Sequence, residues 1–346
     1  MILSFAIGWL KTPTFKANKP IENQLISLVV CCKNEAYNLP NLLQSIKKQT
    51  SQNFEVIFAN DHSIDETGQL LADFCAQFPQ AKTFDTIGCG KKNALREAIS
   101  RTEATIIACT DADCILLPNH LQLIANYFAE NNPDLLLGGV KMNYNNTLFQ
   151  KVQALEFASL IASAAGACGL SHPIMSNGAN IAFTKDIWNK YKQQLHDEET
   201  SGDDIFLMMA IKQAGGKIDF LKASEAVVET NPQTTLKNFL NQRTRWTSKT
   251  KSYTDWETMT VAIIVFMIAV LFLTLFIGGF WQKTLFQTLA ITFTTKWMVD
   301  TLFLVLFLPF FNQSRLILHT AALSAAYPFY IVFSAIAGIF GKFTWK

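Results

Sequence analysis

Two long stretches of this chain contain no formally charged residue, 258–282 and 316–341. Each exceeds the roughly 20 apolar residues that carry a helix across a bilayer core. Between them, residues 284–314 are apolar but include Lys296 and Asp300. Their i,i+4 spacing lets the two charges neutralise each other on a helix face. This middle segment reads as a third span, or as an interfacial or re-entrant helix. Residues 257–346 are therefore expected to form two to three transmembrane helices.

The charge supports that division. The chain has 346 residues, 29 Lys/Arg and 27 Asp/Glu, for a net +2. Residues 257–346 hold five of the basic and two of the acidic residues, which leaves 24 and 25 in residues 1–256. A nearly neutral upstream part lacks the basic footprint of a nucleic-acid binder, so no nucleic-acid partner is expected. It is long enough for one full α/β core. The seven cysteines, Cys31, Cys32, Cys75, Cys89, Cys109, Cys114 and Cys168, all precede the apolar runs. Their number is odd and no CxxC pair occurs, which fits reduced thiols in a cytoplasmic domain rather than disulfides or zinc. None of the five histidines shows metal-ligand spacing.

The start of the chain, residues 1–21, is read as an apolar N-terminal segment associated with the membrane. Its first ten residues are too short to span, and no basic n-region or cleavage site follows. It is either a surface-lying stretch or the end of a longer helix. The abrupt close at Phe343-Thr-Trp-Lys346 raises the same question at the other terminus.

Over residues 22–256 the hydrophobic pattern alternates. Short apolar runs at 25–32, 54–60 and 105–110 read as strands, and 81–85 as a weak strand. Helical spacing covers 38–49, 65–78, 91–101 and 118–130, the last with Pro118 near its first turn. Such alternation predicts a mostly parallel sheet covered on both faces. Further on, 134–142 reads as one strand, 147–165 as a helix rich in small residues, and 203–214 as a helix. Residues 217–221 and 226–229 read as short strands, and 234–250 as an amphipathic helix.

The chemistry sits where strands end. Asp61 follows the second strand and Asp111-Ala-Asp113 the fourth. Carboxylates at the carboxyl ends of strands converge on the rim where α/β sheets bind ligands. Asn34 and Glu35 leave the first strand and could reach a base or ribose, or simply form a strand exit. Asp61 could accept a hydrogen bond from uracil N3–H, while Ser63 or Asp65 caps the next helix. Asp111 and Asp113, at i,i+2, face one side in extended backbone. One could hold ribose hydroxyls while the other ligates Mg²⁺ or Mn²⁺. Asp203-Asp204 opens a helix after Gly202, where it could cap the helix or supply a general base. Gln242, Arg245 and Trp246 share a helix face at i, i+3 and i+4. They suit a diphosphate and the flat side of a sugar. With Lys237, Arg243, Lys249 and Lys251, Arg245 also reads as a juxtamembrane anchor.

Taken in this order, the residues resemble the family 2 inverting glycosyltransferases of GT-A fold, especially the branch with cellulose synthase, hyaluronan synthase and ceramide glucosyltransferase. The resemblance covers about residues 25–246 and the C-terminal helices. It rests on Cys32-Lys-Asn-Glu35, Asn60-Asp61, Gly90-Lys91-Lys92, Asp111-Ala-Asp113, Gly178-Ala-Asn180, Gly202-Asp-Asp204 and Gln242-x-x-Arg245-Trp246. It implies a GT-A, Rossmann-like mixed α/β sheet followed by a transmembrane helical region. It implies Asn34, Glu35, Asp61, Lys91 and Asp111 at the donor, Asp113 at a metal, and Asp204 as base with Arg245 at the reacting diphosphate. Asn180, Asp203, Gln242 and Trp246 are implied on the acceptor and diphosphate side. The chain departs from the family at Asn60, His62 and Asp203, where Asp, Gly and Glu are usual. The first two bear on which nucleotide is bound.

The function expected is inverting transfer from a UDP-sugar to a lipid or glycan hydroxyl, by a multi-pass protein of the inner membrane with its catalytic domain cytoplasmic. Few spans favour single transfer over polymer export, and membrane lipids are expected partners. Transfer to polyprenyl phosphate is the nearer alternative, but that anionic acceptor needs no base. A catalytically dead membrane binding module is the other. A nucleotidyltransferase would want a Gly-rich phosphate loop after the first strand, where Cys31-Cys-Lys-Asn-Glu35 stands instead.

Overall fold

The computed structural model describes residues 1–16, 24–197, 199 and 201–340. In chain order its elements are α1 (Ile2–Lys11), β1 (Ile26–Cys32), α2 (Leu39–Lys47), β2 (Phe54–Asn60), α3 (Thr67–Gln77), β3 (Ala81–Asp85), α4 (Lys91–Ser100), β4 (Ile106–Asp111), β5 (Ile115–Leu116), α5 (His120–Asn131), β6 (Leu135–Gly138), β7 (Val140–Met142), α6 (Leu148–Cys168), β8 (Ile181–Thr184), α7 (Lys185–Tyr191), α8 (Asp203–Gln213), β9 (Ile218–Leu221), β10 (Val228–Thr230), α9 (Leu236–Ser248), α10 (Trp256–Gly278), α11 (Thr284–Phe307) and α12 (Thr320–Phe340). They form two compact units. An α/β unit contains Lys11–Lys141 and Met175–Asn231, and a helical unit contains Met1–Leu10, Met142–Ile174 and Pro232–Lys346.

The α/β unit is built on a seven-stranded sheet of order β3-β2-β1-β4-β8-β6-β9. β1 pairs in parallel with β2 and β4, and β8 runs antiparallel between β4 and β6. The sheet is thus mixed, in the GT-A manner. β1, β2 and β4 are mostly Ile, Val, Leu, Phe, Ala and Cys, interrupted by Ser27, Glu55 and Thr110, because both of their faces are covered. Their register decides where function can sit. Cys32 lies opposite Asn60, and Cys31 opposite Asp111. The three strands therefore end level, and Asp61 and Asp111 leave the sheet at one edge.

The strand expected over 134–142 is divided. β6 stays in the large sheet, while β7 joins a small sheet of order β5-β10-β7. The break falls at Gly138-Gly139, where side chains would obstruct the turn. A Cβ on Gly138 would stand 2.3 Å from the Asn180 amide. Asn180 Nδ2 donates to the Gly139 and Ala226 carbonyls at 2.8 and 3.0 Å, which fastens the crossover. All seven cysteines are free thiols.

In the helical unit, α1 buries Phe5, Ala6, Gly8 and Trp9. Gly8 lies against α6, where a Cβ would stand 1.9 Å from the Gly166 carbonyl oxygen, so only glycine allows the two backbones to meet. Trp9 Nε1 donates to the Leu306 carbonyl at 3.2 Å, and its ring packs 4.6 Å from that of Phe307. Residues 17–21 of the expected N-terminal segment lie outside the described residues. Among the described residues, three helices, Trp256–Gly278, Thr284–Phe311 and Ser314–Ile339, are long and apolar enough to cross a membrane. The middle one carries the expected Lys296–Asp300 ion pair, which shields both charges on one helix face.

Candidate active site

Asp61 stands just beyond β2 and is buried, 3% exposed. Both carboxylate oxygens accept from the Gly90 N–H at 3.1 Å, and Lys33 Nζ lies 3.3 Å away. Gly90 has φ +94, a conformation open to glycine and costly for other residues. It precedes α4, whose first residue is Lys91. The Gly-Lys turn and the strand-end aspartate are thus one assembly.

Lys91 Nζ reaches Asp111 at 2.7 Å and Asp203 at 3.9 Å. Burial works against its charge, but the two carboxylates outweigh burial and hold its pKa well above the ordinary lysine value. The lysine stays a cation, suited to phosphate oxygens. Gly178 marks the neighbouring point. A Cβ there would stand 3.3 Å from Lys91 Nζ and 3.7 Å from Asp204 Oδ2.

Asp204 is oriented rather than loose. Oδ2 accepts from the Gly178 N–H and Oδ1 from the Ile205 N–H, each at 2.8 Å. The N-cap of α8 is Gly202, at φ +100, and no side chain makes the cap bond. The Oδ1 bond is local to the start of the helix, whereas the Oδ2 bond reaches a loop 26 residues away, which helix capping does not require. Asp203, by contrast, is buried and turned toward Lys91.

The match to a protein family follows this geometry. Residues 27–199 fit the model of "Glycosyl transferase family 2". The chain belongs to this family. It is 28% identical over 138 residues to poly-beta-1,6-N-acetyl-D-glucosamine synthase of Staphylococcus epidermidis, covering 39% of this chain and 33% of the relative. The Staphylococcus aureus synthase is 25% identical over 141 residues with the same coverage. The matched region spans about a third of these curated relatives. Among solved structures, a mannosyltransferase from Pyrobaculum calidifontis in complex with GDP-mannose and Mn²⁺ superposes with a TM-score of 0.58 at 15% identity, covering 99% of this chain and 95% of that one. That likeness establishes the fold.

In this family 2 transferase, Asp113 has its pKa raised to about 6, first by burial and then by the charges of Asp111 and Glu35. Carboxylates that crowd one another in this way fit a hard dication, which would relieve the repulsion with oxygen ligands. Asp113, with Asp111 beside it, would hold such an ion. A second group was hidden in the sequence. Asp61, His62 and Cys89 offer ligand atoms within 4.8 Å of one another. His62 reaches this position through a left-handed backbone, φ 55, which no spacing rule reveals. Because Asp61 already accepts from Gly90 and Lys33, it is the poorer of the two metal candidates. Burial pushes the Cys31 thiol, beneath Lys91, up to about 12, so it stays protonated and unreactive.

Other expected residues take structural bonds. Asn34 Oδ1 accepts from the Ile64 N–H at 2.9 Å, and the Asn34 N–H donates to Ser63 Oγ at 3.0 Å. Glu35 accepts from Asn38 Nδ2 at 2.8 Å. Asn34 therefore stitches together the exits of β1 and β2. Asn180 is buried at the sheet crossover, with both amide N–H groups committed to backbone carbonyls.

Gln242, Arg245 and Trp246 lie on α9 in the helical unit, and all three are half-buried. The residue between them is the one the sequence misplaces. Arg243, counted there in a juxtamembrane anchor, is 4% exposed. It pairs with Glu156 of α6, through Nε–Oε1 at 3.2 Å and an Nη2–Oε2 contact. Nη1 donates to Gln242 Oε1 at 2.6 Å, and the guanidinium lies 4.2 Å from the Trp246 ring centroid. A buried arginine needs such pairing, and its partner was hidden in the apolar α6.

Proposed function

We propose that this transferase moves a sugar, with inversion, from a UDP-sugar to a hydroxyl acceptor, lipid or glycan, at the cytoplasmic face of a membrane. The observation that carries it is Asp204, held by the Gly178 and Ile205 N–H groups beside the Lys91 cation. Its oxygens are pinned by neutral donors, and a carboxylate so oriented can take a proton in a fixed direction. Asp204 receives the acceptor hydroxyl proton. The acceptor oxygen then bonds to the anomeric carbon, the bond from that carbon to the diphosphate breaks, and UDP leaves with the electron pair. Lys91 meets the negative charge that develops on the diphosphate, a preorganised contact of the kind that dominates such transfers.

Asp61 is assigned to the uracil and Asp111 to the ribose. Asp113 is the proposed ligand for Mg²⁺ or Mn²⁺, which when bound would neutralise diphosphate charge. The Pyrobaculum neighbour's Mn²⁺ and nucleotide sugar support a nucleotide-sugar donor here. The roles of Gln242, Arg245 and Trp246 on diphosphate and acceptor rest on their motif. The cytoplasmic assignment rests on Lys237, Arg245, Lys249 and Lys251, which precede the first apolar helix, and on the free cysteines.

The test is to incubate membranes carrying the chain with UDP-glucose, UDP-galactose, UDP-N-acetylglucosamine and GDP-mannose, and to analyse released nucleotide and extracted lipid. UDP release with a new sugar-bearing lipid or glycan is expected. Turnover of GDP-mannose alone would replace the donor assignment.

A further inference from the structure

The helical unit contains a cavity of about 320 Å³ whose walls come from α6, α9 and α12, including Phe149, Val152, Leu236, Phe239, Leu323 and Phe329. The volume is at the lower end for ligand pockets. Its polar neighbours are already used. Gln153 exchanges two hydrogen bonds with the Gln233 backbone, at 3.0 and 3.1 Å. Glu156 is taken by Arg243 and by the Tyr330 hydroxyl at 3.2 Å. A sugar or nucleotide entering here would lose water and find no hydrogen bonds in return, which is unfavourable. Only an apolar occupant suits these walls.

The rim indicates where the occupant comes from. Leu236 is 61% exposed and Phe329 is 54% exposed. Leu323 and Phe329 belong to a helix apolar enough to cross a membrane. Large apolar side chains at the rim, continuous with a spanning helix, face hydrocarbon rather than water. Along α9, Leu236 and Phe239 in the cavity are followed at i+4 and i+7 from Phe239 by Arg243 and Trp246, on the same stripe. A chain lying in the cavity thus leads toward Gln242 and Trp246.

We propose that this cavity takes the hydrocarbon chain of a lipid acceptor, so that its hydroxyl-bearing head lies along α9 near Trp246. This deepens the lipid branch of the transferase reading and rests on it. The full chain is placed in nanodiscs with a diacylglycerol, a lipid with a free hydroxyl, whose acyl chain carries a diazirine. Irradiation followed by digestion and mass spectrometry locates the adducts. Adducts are expected on the peptides containing Val152 and Phe329, and are lost in Val152→Trp and, separately, in Ala326→Trp, which fill the cavity. Each variant is checked for a single size-exclusion peak and unchanged helix content. A phosphatidylcholine with the same diazirine is expected to mark the outward-facing Ile291 and Leu302. Equal cavity labelling by both lipids would indicate a resident bilayer lipid and overturn the acceptor assignment. The absence of cavity adducts with either lipid would overturn the site. Labelling needs no turnover, so nanodiscs that label as expected but consume no UDP-sugar would sink the donor assignment while leaving the cavity assignment standing.

Discussion

Arg243 and Glu156, 87 residues apart in sequence, meet as a doubly bonded ion pair in the interior of the helical unit. The same guanidinium holds Gln242 and faces Trp246, so a charge pair that looks purely structural sets two motif side chains.

Glu156→Leu would strand a buried cation and is expected to destabilise the protein by about 3–5 kcal/mol. The double variant Glu156→Leu/Arg243→Leu removes both charges and is expected to recover most of that stability. It should not recover transfer, because Gln242 loses its donor partner. Thermal unfolding in detergent, measured beside sugar transfer, checks this. Full activity in the double variant would reduce the pair to a packing element.

Asp204→Asn keeps the size of the side chain but cannot accept the proton, and its amide can accept from only one of the Gly178 and Ile205 N–H groups. It is expected to slow transfer by roughly 10²–10⁴-fold with donor affinity little changed. Asp61→Ala should show the opposite split, with weakened donor binding and an intact proton path. Titration of the donor by calorimetry, paired with initial rates, separates the two.

Transfer is expected to stop in excess chelator and to return with Mn²⁺ or Mg²⁺. Asp113→Ala should be inactive with either ion. Undiminished turnover in chelator would remove the metal from the scheme and leave Lys91 and Arg245 to carry the diphosphate charge.

His120 is buried, and its Nδ1–H donates to the Ala226 carbonyl at 3.0 Å. Burial lowers its pKa from 6.5 to about 4, although that bond opposes the shift. The depressed value means that the folded state favours the neutral ring. The associated stability is complete above about pH 6.5 and is lost as pH falls toward 4, by roughly 3 kcal/mol in full. His120→Asn, whose Nδ2 takes the place of the ring Nδ1 and keeps a donor for Ala226, should flatten this part of the profile. Denaturant unfolding of both proteins between pH 4 and pH 7 provides the comparison.

Much of the α/β unit was legible. β1, β2 and β4 are largely apolar runs bounded by polar turns, and level strand ends bring Asp61 and Asp111 to one edge. The small sheet was not, because β5, β7 and β10 have only two or three residues each and no pattern of that length is distinctive. That α6 and α9 pack with the apolar C-terminal helices was hidden as well. α6 has apolar and small residues around its whole circumference, so no single face announces a partner. Charge counting places Arg243 outside, since sequence gives no sign of a glutamate waiting in another helix.

Lys92, next to Lys91, points the other way and donates to the carbonyls of Leu195, His196 and Glu199 at 2.6, 2.5 and 2.8 Å. Those carbonyls lie just upstream of Gly202, Asp203 and Asp204. The first turn of α4 therefore serves as a common datum. One lysine on it meets Asp111 and Asp203, and its neighbour fixes the approach to Asp204. Relatives could lengthen or rewrite the stretch before Gly202 without disturbing the chemistry, provided three carbonyls still return to this ammonium. The reverse change, a shift of α4 by one residue, would move the partner of Asp111 and the approach to Asp204 together.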